Sequence, residues 1–166
     1  MVLCTIEQTN KDEASAIYVG CAEGEWAQVI ATYGYCTILT DPGLPSGRDR
    51  AWAVVSSLPI NYEYVVNLQC DTPFMEPQTI KLTYESLMAD KEADSVTPIV
   101  SITDKGDFQN HNIVKVASSK HDNRALYFNR SPIPYNAAAA ANNIAYKQIA
   151  FYAYKRKALE DFISYP

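Results

Sequence analysis

The sequence predicts a wound α/β fold with a mostly parallel sheet, and three observations carry that prediction. Short β-prone runs alternate with stretches of helical periodicity through the first half of the chain, the pattern that builds parallel strand–helix–strand units. The second half is richer in strands and loops. The 166 residues are 48% hydrophobic and 20% charged, enough apolar material for one domain with a sizeable core and too much for a disordered chain.

The elements follow in order. Residues 16–22 (AIYVGCA) are short, β-prone and flanked by charge, hence a strand. Residues 23–33 place Trp26, Val29, Ile30 and Tyr33 at helical spacing, and Gly34 is set to stop that helix. Residues 36–39 (CTIL) make a second short strand, followed by the Pro- and Gly-broken loop 40–47 (TDPGLPSG). A helix over 48–57 carries Ala51, Val54 and Val55 on one face. Residues 64–68 (YVVNL) form the clearest buried strand, and Pro77 opens a helix to about Ala89 with Ile80, Leu82, Tyr84 and Leu87 as apolar positions. Strands are expected over 96–102, 113–117 and 125–128. Residues 149–154 (IAFYAY) alternate ring and small side chains, which suits a strand with two unlike faces, and a helix over about 157–163 closes the chain. The segment 136–143 (NAAAAANN) reads as a solvent loop or a short helical insertion.

Composition excludes several classes. No run approaches the ~18 apolar residues of a bilayer span, so membrane insertion is not expected. The opening MVLCTIEQTNKDEAS lacks the charge, apolar core and cleavage site of a secretory signal, which points to a cytoplasmic protein. A net charge of −5 argues against a broad phosphate-binding face, hence against a nucleic acid polymer as partner, while a single basic pocket stays open. Cys4, Cys21, Cys36 and Cys70 contain no C-x-x-C and are expected to be reduced, mostly buried thiols. His111 and His121 have no cysteine or HExxH-type partner, so a zinc site is not supported.

Ligands of wound sheets bind outside the carboxyl ends of the strands, and three polar clusters fall there. Ser46-Gly47-Arg48-Asp49-Arg50 opens a helix: it either holds an anion or a polar base edge, or is an ordinary capped start. Gln69-Cys70-Asp71-Thr72-Pro73 follows the best strand. Asp71 can hold Mg²⁺ against phosphate oxygens, or simply form a turn. Asn129-Arg130-Ser131-Pro132-Ile133-Pro134 offers a guanidinium that can fork onto a carboxylate. Tyr135, Tyr152 and Tyr154 can line a sugar pocket or serve plain half-buried packing.

These clusters carry a family resemblance. VVNLQCDTPFMEPQTI resembles the "VNVQGDEPLIPP" segment of the 3-deoxy-manno-octulosonate (Kdo) cytidylyltransferases, and TDPGLPSGRDR resembles their "T…HxSGTER" loop. NHNIVKVASSKHDNRALYFNRSPIPY is similar to "NPNAVKVV…GxALYFSRxPIPW", and QIAFYAYKRKALEDFISYP to "HIGIYAYRxxFLxxFxxxxP". The ordered set covers about residues 16–166. The resemblance implies a Rossmann-like, three-layer α/β/α domain of the nucleotidyltransferase (GT-A-like) type, one partial domain over 1–166, incomplete at both ends. It implies transfer of CMP from CTP to the anomeric hydroxyl of the eight-carbon sugar acid Kdo, with pyrophosphate leaving, for lipopolysaccharide or capsule assembly. By motif, Asp71 is an Mg²⁺ ligand and Gln69 a contact near nucleotide and sugar. Ser46, Gly47 and Arg50 fall on the nucleotide side, and Arg130, Tyr152 and Gln148 on the sugar side. Asp71, Gln69 and Arg130 form the catalytic set.

The departures set further expectations. The triphosphate loop "PARxxSxRLPGKP" has no counterpart, and the resemblance has the chain begin within the helix after it. The family's "VATD" is Val19-Gly20-Cys21-Ala22, the glycine and glutamate of "QGDEP" are Cys70 and Thr72, the threonine of "SGTER" is Arg48, and the histidine of "RHxG" is Gln148. A side chain at 70 crowds the nucleotide if the backbone there needs glycine. The "GVDTPEDL" segment, with a second metal-binding Asp, is not matched. On this reading the polypeptide alone is expected to be inactive or weak; the alternative is a non-catalytic binding module on the same fold. A glycosyltransferase using another nucleotide sugar would carry a D-x-D motif, which is absent. A missing first strand leaves a sheet edge for a homodimer or another chain to cover.

Overall fold

The computed structural model describes residues 1–9, 14–134 and 145–165, so the expected loop or insertion at 136–143 lies outside the described residues. In chain order the elements begin with α1 (Val2–Thr9), β1 (Tyr18–Cys21), α2 (Gly24–Thr32), β2 (Cys36–Leu39), α3 (Gly47–Ser57), β3 (Tyr64–Leu68), α4 (Pro77–Ala89) and β4 (Ser95–Val96). They continue with β5 (Ile99–Ile102), α5 (Lys105–Gln109), β6 (Lys115–Ser118), β7 (Ala125–Asn129), β8 (Ala145–Gln148), β9 (Phe151–Lys155) and α6 (Arg156–Ser164). The chain divides into two compact units, one of residues 1–96 with 150–166 and one of residues 97–149.

In the first unit β1 and β2 pair in parallel, Tyr18 opposite Cys36, with α2 as the crossover between them. Gly34 ends α2 at φ +84°, the left-handed region glycine enters without strain, and its N–H donates to the Ala31 carbonyl at 2.9 Å. The buried stripe of α2 is Ala27 and Ile30, packed with Ile6 and Cys21; Trp26, Val29 and Tyr33 are exposed. The apolar spacing therefore marked the helix correctly, but Trp26, Val29 and Tyr33 face outward while Ile30 and the small Ala27 make the contact.

Helix α3 crosses β1 at Gly20. A Cβ there would lie 2.8 Å from Val54 Cγ2 and 3.2 Å from Arg50 Cγ, so the missing side chain is what lets the helix come this close. The remaining sheet of this unit has the order β3-β9-β4, antiparallel throughout, with Ala153 and Phe151 of the central strand buried. Val55 of α3, Tyr154 of β9 and Leu159 of α6 form its core, joined at the rim by Trp52 and Tyr152. Arg48 lies over the Phe162 ring at 4.1 Å, tying α3 to α6.

The second unit is a four-stranded antiparallel sheet of order β5-β8-β6-β7. The parallel sheet expected from the sequence is thus realised in the β1–β2 pair, and every other described pairing is antiparallel.

Other expectations need local correction. The strand read over 96–102 is two strands in different sheets, because Pro98 has no N–H to continue a ladder. The strand read over 149–154 starts at Phe151 and follows a separate strand, β8, whose sequence AYKQ shows no clean alternation. The strand YVVNL is half-buried, with Val66 exposed, since one face of its sheet is only partly covered. All four cysteines are free, yet only Cys21 is buried; Cys4, Cys36 and Cys70 are exposed.

Candidate functional site

In the first unit the carboxyl ends of β1, β2 and β3 are tied to the start of α3 by hydrogen bonds. Ser46 is the N-cap of α3: its hydroxyl oxygen accepts from the N–H groups of Arg48 (3.2 Å) and Asp49 (3.4 Å) and donates to the Asp49 carboxylate. The reciprocal contact resembles a capping box, with aspartate at the third helical position. Gly47, the first helical residue, is exposed, and a Cβ added there would meet nothing within 4 Å. The protein itself thus gives no steric reason for glycine at 47. The open space lies beside the positive end of the α3 dipole, where an anion or a polar base edge is stabilised.

Arg50 points the other way along the loop. Its Nη1 donates to the Thr40 hydroxyl and to the Asp41 carbonyl at 3.5 Å, while Thr40 bonds back to the Cys21 carbonyl through its N–H (2.8 Å) and its hydroxyl (3.1 Å). Arg50 therefore fastens the end of β2 to the end of β1. Burial pushes the Cys21 thiol up from its ordinary pKa, and the nearby Arg50 charge opposes this.

At the end of β3, Asn67 donates to the Gly47 carbonyl at 3.3 Å and stands opposite Tyr152 of β9, so both side chains share the sheet face that α3 covers. The Tyr152 ring is half-buried and stacks on Tyr154, with centroids 5.5 Å apart. Gln69 to Thr72 form a turn in which the Thr72 N–H (3.3 Å) and hydroxyl (2.7 Å) both donate to the Gln69 carbonyl. The Gln69 and Asp71 side chains are exposed, and the Asp71 carboxylate has no hydrogen-bond or ion-pair partner among the described residues. Cys70 is not in the left-handed region, so a side chain at 70 carries no backbone strain; its carbonyl accepts from Thr5 of α1 at 3.1 Å. Among the described residues no three His, Cys, Asp or Glu side chains gather as a metal-ligating group. A single free carboxylate suits Mg²⁺ that brings phosphate oxygens and water as its other ligands.

The second unit holds the other sequence-predicted residues. Arg130 follows β7, and its Nη1 donates to the carbonyls of His111 and Asn112, both at 3.1 Å. Gln148 donates from Nε2 to the Thr97 hydroxyl at 2.9 Å, which holds it within the β8–β5 edge. Tyr135 lies outside the described residues. Sequence reading passed over Lys115, Thr40 and Asn67. Lys115 had a visible signal, a lone cation in the apolar run IVKVA, whereas Thr40 and Asn67 are set by contacts between distant segments and left none.

A profile of the cytidylyltransferase family matches residues 1–166. The chain is 35% identical over 156 residues to the 3-deoxy-manno-octulosonate cytidylyltransferase of Paramagnetospirillum magneticum, covering 90% of this chain and 61% of that protein. It is 35% identical over 160 residues to the enzyme of the same name from Rickettsia prowazekii, covering 95% and 62%. It therefore spans about three fifths of the length of these relatives. Its fold is similar to the structure of CMP:2-keto-3-deoxy-manno-octonic acid synthetase complexed with CTP, with a TM-score of 0.89 at 26% identity over 99% of this chain and 67% of that one.

Proposed function

The chain belongs to the cytidylyltransferase family, and from that premise we propose that it serves transfer of CMP from CTP to Kdo, with release of pyrophosphate. The observation that carries this reading is the likeness over 99% of the chain to a synthetase complexed with CTP. The sugar's anomeric oxygen attacks the α-phosphorus of CTP as the bond to the pyrophosphate oxygen breaks, and the hydroxyl proton is lost to solvent or a base. The capped start of α3 at Ser46 and Gly47 receives the nucleotide, and Arg50 holds the 40–41 loop beside it. Asp71 holds Mg²⁺, which when bound neutralises phosphate charge. Gln69, on the same turn, contacts nucleotide or sugar. On the sugar side Arg130 takes the carboxylate, with Tyr152 and Gln148 as further contacts.

Residues 1–166 form on this reading one nucleotidyltransferase-like domain of the Rossmann-like, three-layer type, acting in the cytoplasm for lipopolysaccharide or capsule assembly. Among the described residues no helix is long and apolar enough to cross a membrane. A second copy of the chain is proposed as partner, supported by β7, the last strand of its sheet, whose Leu126 and Tyr127 are exposed.

Calorimetric titration with CTP, with and without Mg²⁺, and then with Kdo, tests the proposal, followed by an assay of pyrophosphate release. Mg²⁺-dependent CTP binding with at most weak turnover is expected. Binding without turnover favours a non-catalytic module, and a cooperatively folded chain that binds no CTP overturns the nucleotide reading.

A further inference from the structure

We propose that Lys115 is a positioning residue for Arg130, fixing its guanidinium so that the Nε–Nη2 edge is left to receive the carboxylate of the sugar acid. This rests on the reading of Arg130 as the carboxylate-binding residue. Lys115 lies in β6 with a relative exposure of 0%, in register with Asn129 and hence beside the Arg130 backbone. Its Nζ donates to the carbonyls of Asn110 (2.6 Å), Ile113 (3.1 Å) and Arg130 (2.9 Å). All three ammonium protons are therefore satisfied, two by the adjoining 110–113 segment and one by Arg130 at the next strand's end.

Arg130 completes the arrangement from the other side. Its Nη1 takes the carbonyls of His111 and Asn112, so the consecutive carbonyls of residues 110–113 are shared between the two cations, the outer pair by Lys115 and the inner pair by Arg130. Both Nη1 protons are used. Among the described residues nothing takes the Nε or Nη2 protons, and these form the planar fork that matches a carboxylate.

The charge balance points the same way. Asp107, whose charge acts on Lys115, is bonded to Lys147 at 2.6 Å. Burial, and then the charge of Arg130, push the Lys115 ammonium below its ordinary range, with Asp107 opposing. Two cations held together by carbonyl dipoles, with neither bonded to a carboxylate among the described residues, keep their charge for a ligand. An apolar side chain on β6 would fill the interior without desolvating a charge, and it would take the Lys115 donor away from the carbonyls of Asn110, Ile113 and Arg130.

The test uses the full chain and reads two things: Kdo affinity by calorimetry, and rotation about the Arg130 Cζ–Nη1 bond by nitrogen NMR of the guanidinium. In the wild type Kdo binds and the Nη1 protons are distinct. In Lys115→Met, Kdo affinity is expected to fall about tenfold or more, as for loss of a charge-assisted contact, while CTP affinity stays within about twofold and the Nη1 protons average. Lys115→Arg, which keeps the charge, recovers part of the loss. Lys115→Met binding Kdo as the wild type does, with Arg130 still restricted, overturns the proposal. If Lys115→Met does not fold, the wild-type spectrum alone decides: freely averaging Nη1 protons overturn it. A wild type that shows restricted Arg130 but no Kdo binding overturns the sugar-acid reading and upholds the positioning.

Discussion

Replacing Gly47 with alanine separates what the fold needs from what a nucleotide needs. The residue begins α3, its φ is not positive, and a methyl group added there would meet no atom within 4 Å. Nothing in the folded chain opposes the change, while the unfolded chain loses freedom. Gly47→Ala should therefore leave stability unchanged or raise it by about 0.4–1 kcal/mol. For a chain of this size that is a rise in Tm of up to roughly 2–4 °C. The same methyl would stand in the space beside the N-terminal N–H groups of α3. Displacing an anionic group from one charge-assisted hydrogen bond is worth about 1.5–3 kcal/mol, so CTP affinity should drop roughly ten- to hundredfold. Thermal melting by circular dichroism and calorimetric titration with CTP read the two effects separately. Unchanged CTP affinity would refute the assignment of the α3 start to the nucleotide. A fall in Tm would refute the claim that the space is open.

Four further outcomes are expected. Gly20→Ala should destabilise the protein by about 1–3 kcal/mol, because its methyl would press on Val54 at 2.8 Å, and Val54→Ala in the same chain should relieve part of the loss, read by urea unfolding of the double-mutant cycle. Asp71→Asn should change stability by less than about 0.5 kcal/mol, since the carboxylate is exposed and without a partner among the described residues, yet abolish the Mg²⁺ dependence of CTP binding. Titration with a thiol reagent should show Cys4, Cys36 and Cys70 reacting fast and Cys21 slowly. The same Cys21, raised above the ordinary 9.0 by burial, keeps its proton in the folded chain where the unfolded chain loses it. Stability should accordingly fall as pH rises beyond about 9, and fall less in Cys21→Ala, compared at about pH 8 and about pH 10.

How much of this could be read from the chain depends on the range of the interactions involved. The strands CTIL and YVVNL and the helix opened by Pro77 are fixed by nearest neighbours, and they were found to the residue. Pairing direction is set by contacts far apart in sequence. Strand–helix alternation correctly gave the parallel β1–β2 unit, but nothing local announces that Val66 pairs with Ala153 in the opposite sense. The site divides in the same way. The Ser46 cap and the Asp71 turn were legible because each is a short motif. That Arg50 clamps Thr40, and that Lys115 and Arg130 share one loop, depends on where the chain returns in space. Large apolar residues also misled: Trp26 and Tyr33 suggested the inner face of α2, yet the buried contact belongs to Ala27 and Ile30.

The placement of β9 bears on the order in which the molecule can be made. It follows every other strand among the described residues and is the middle strand of its sheet, seated between β3 and β4. During synthesis β3 and β4 emerge with no partner between them, and the whole stretch 97–149 is added before the missing strand arrives. At roughly 5–20 residues per second that is a wait of seconds, during which the inserted unit already has all of its own residues. The inserted unit can thus fold on the ribosome, whereas the β3-β9-β4 sheet closes only after residues 151–155 have emerged. A nascent chain stalled before Phe151 would expose two unpaired strand edges, a substrate for chaperones.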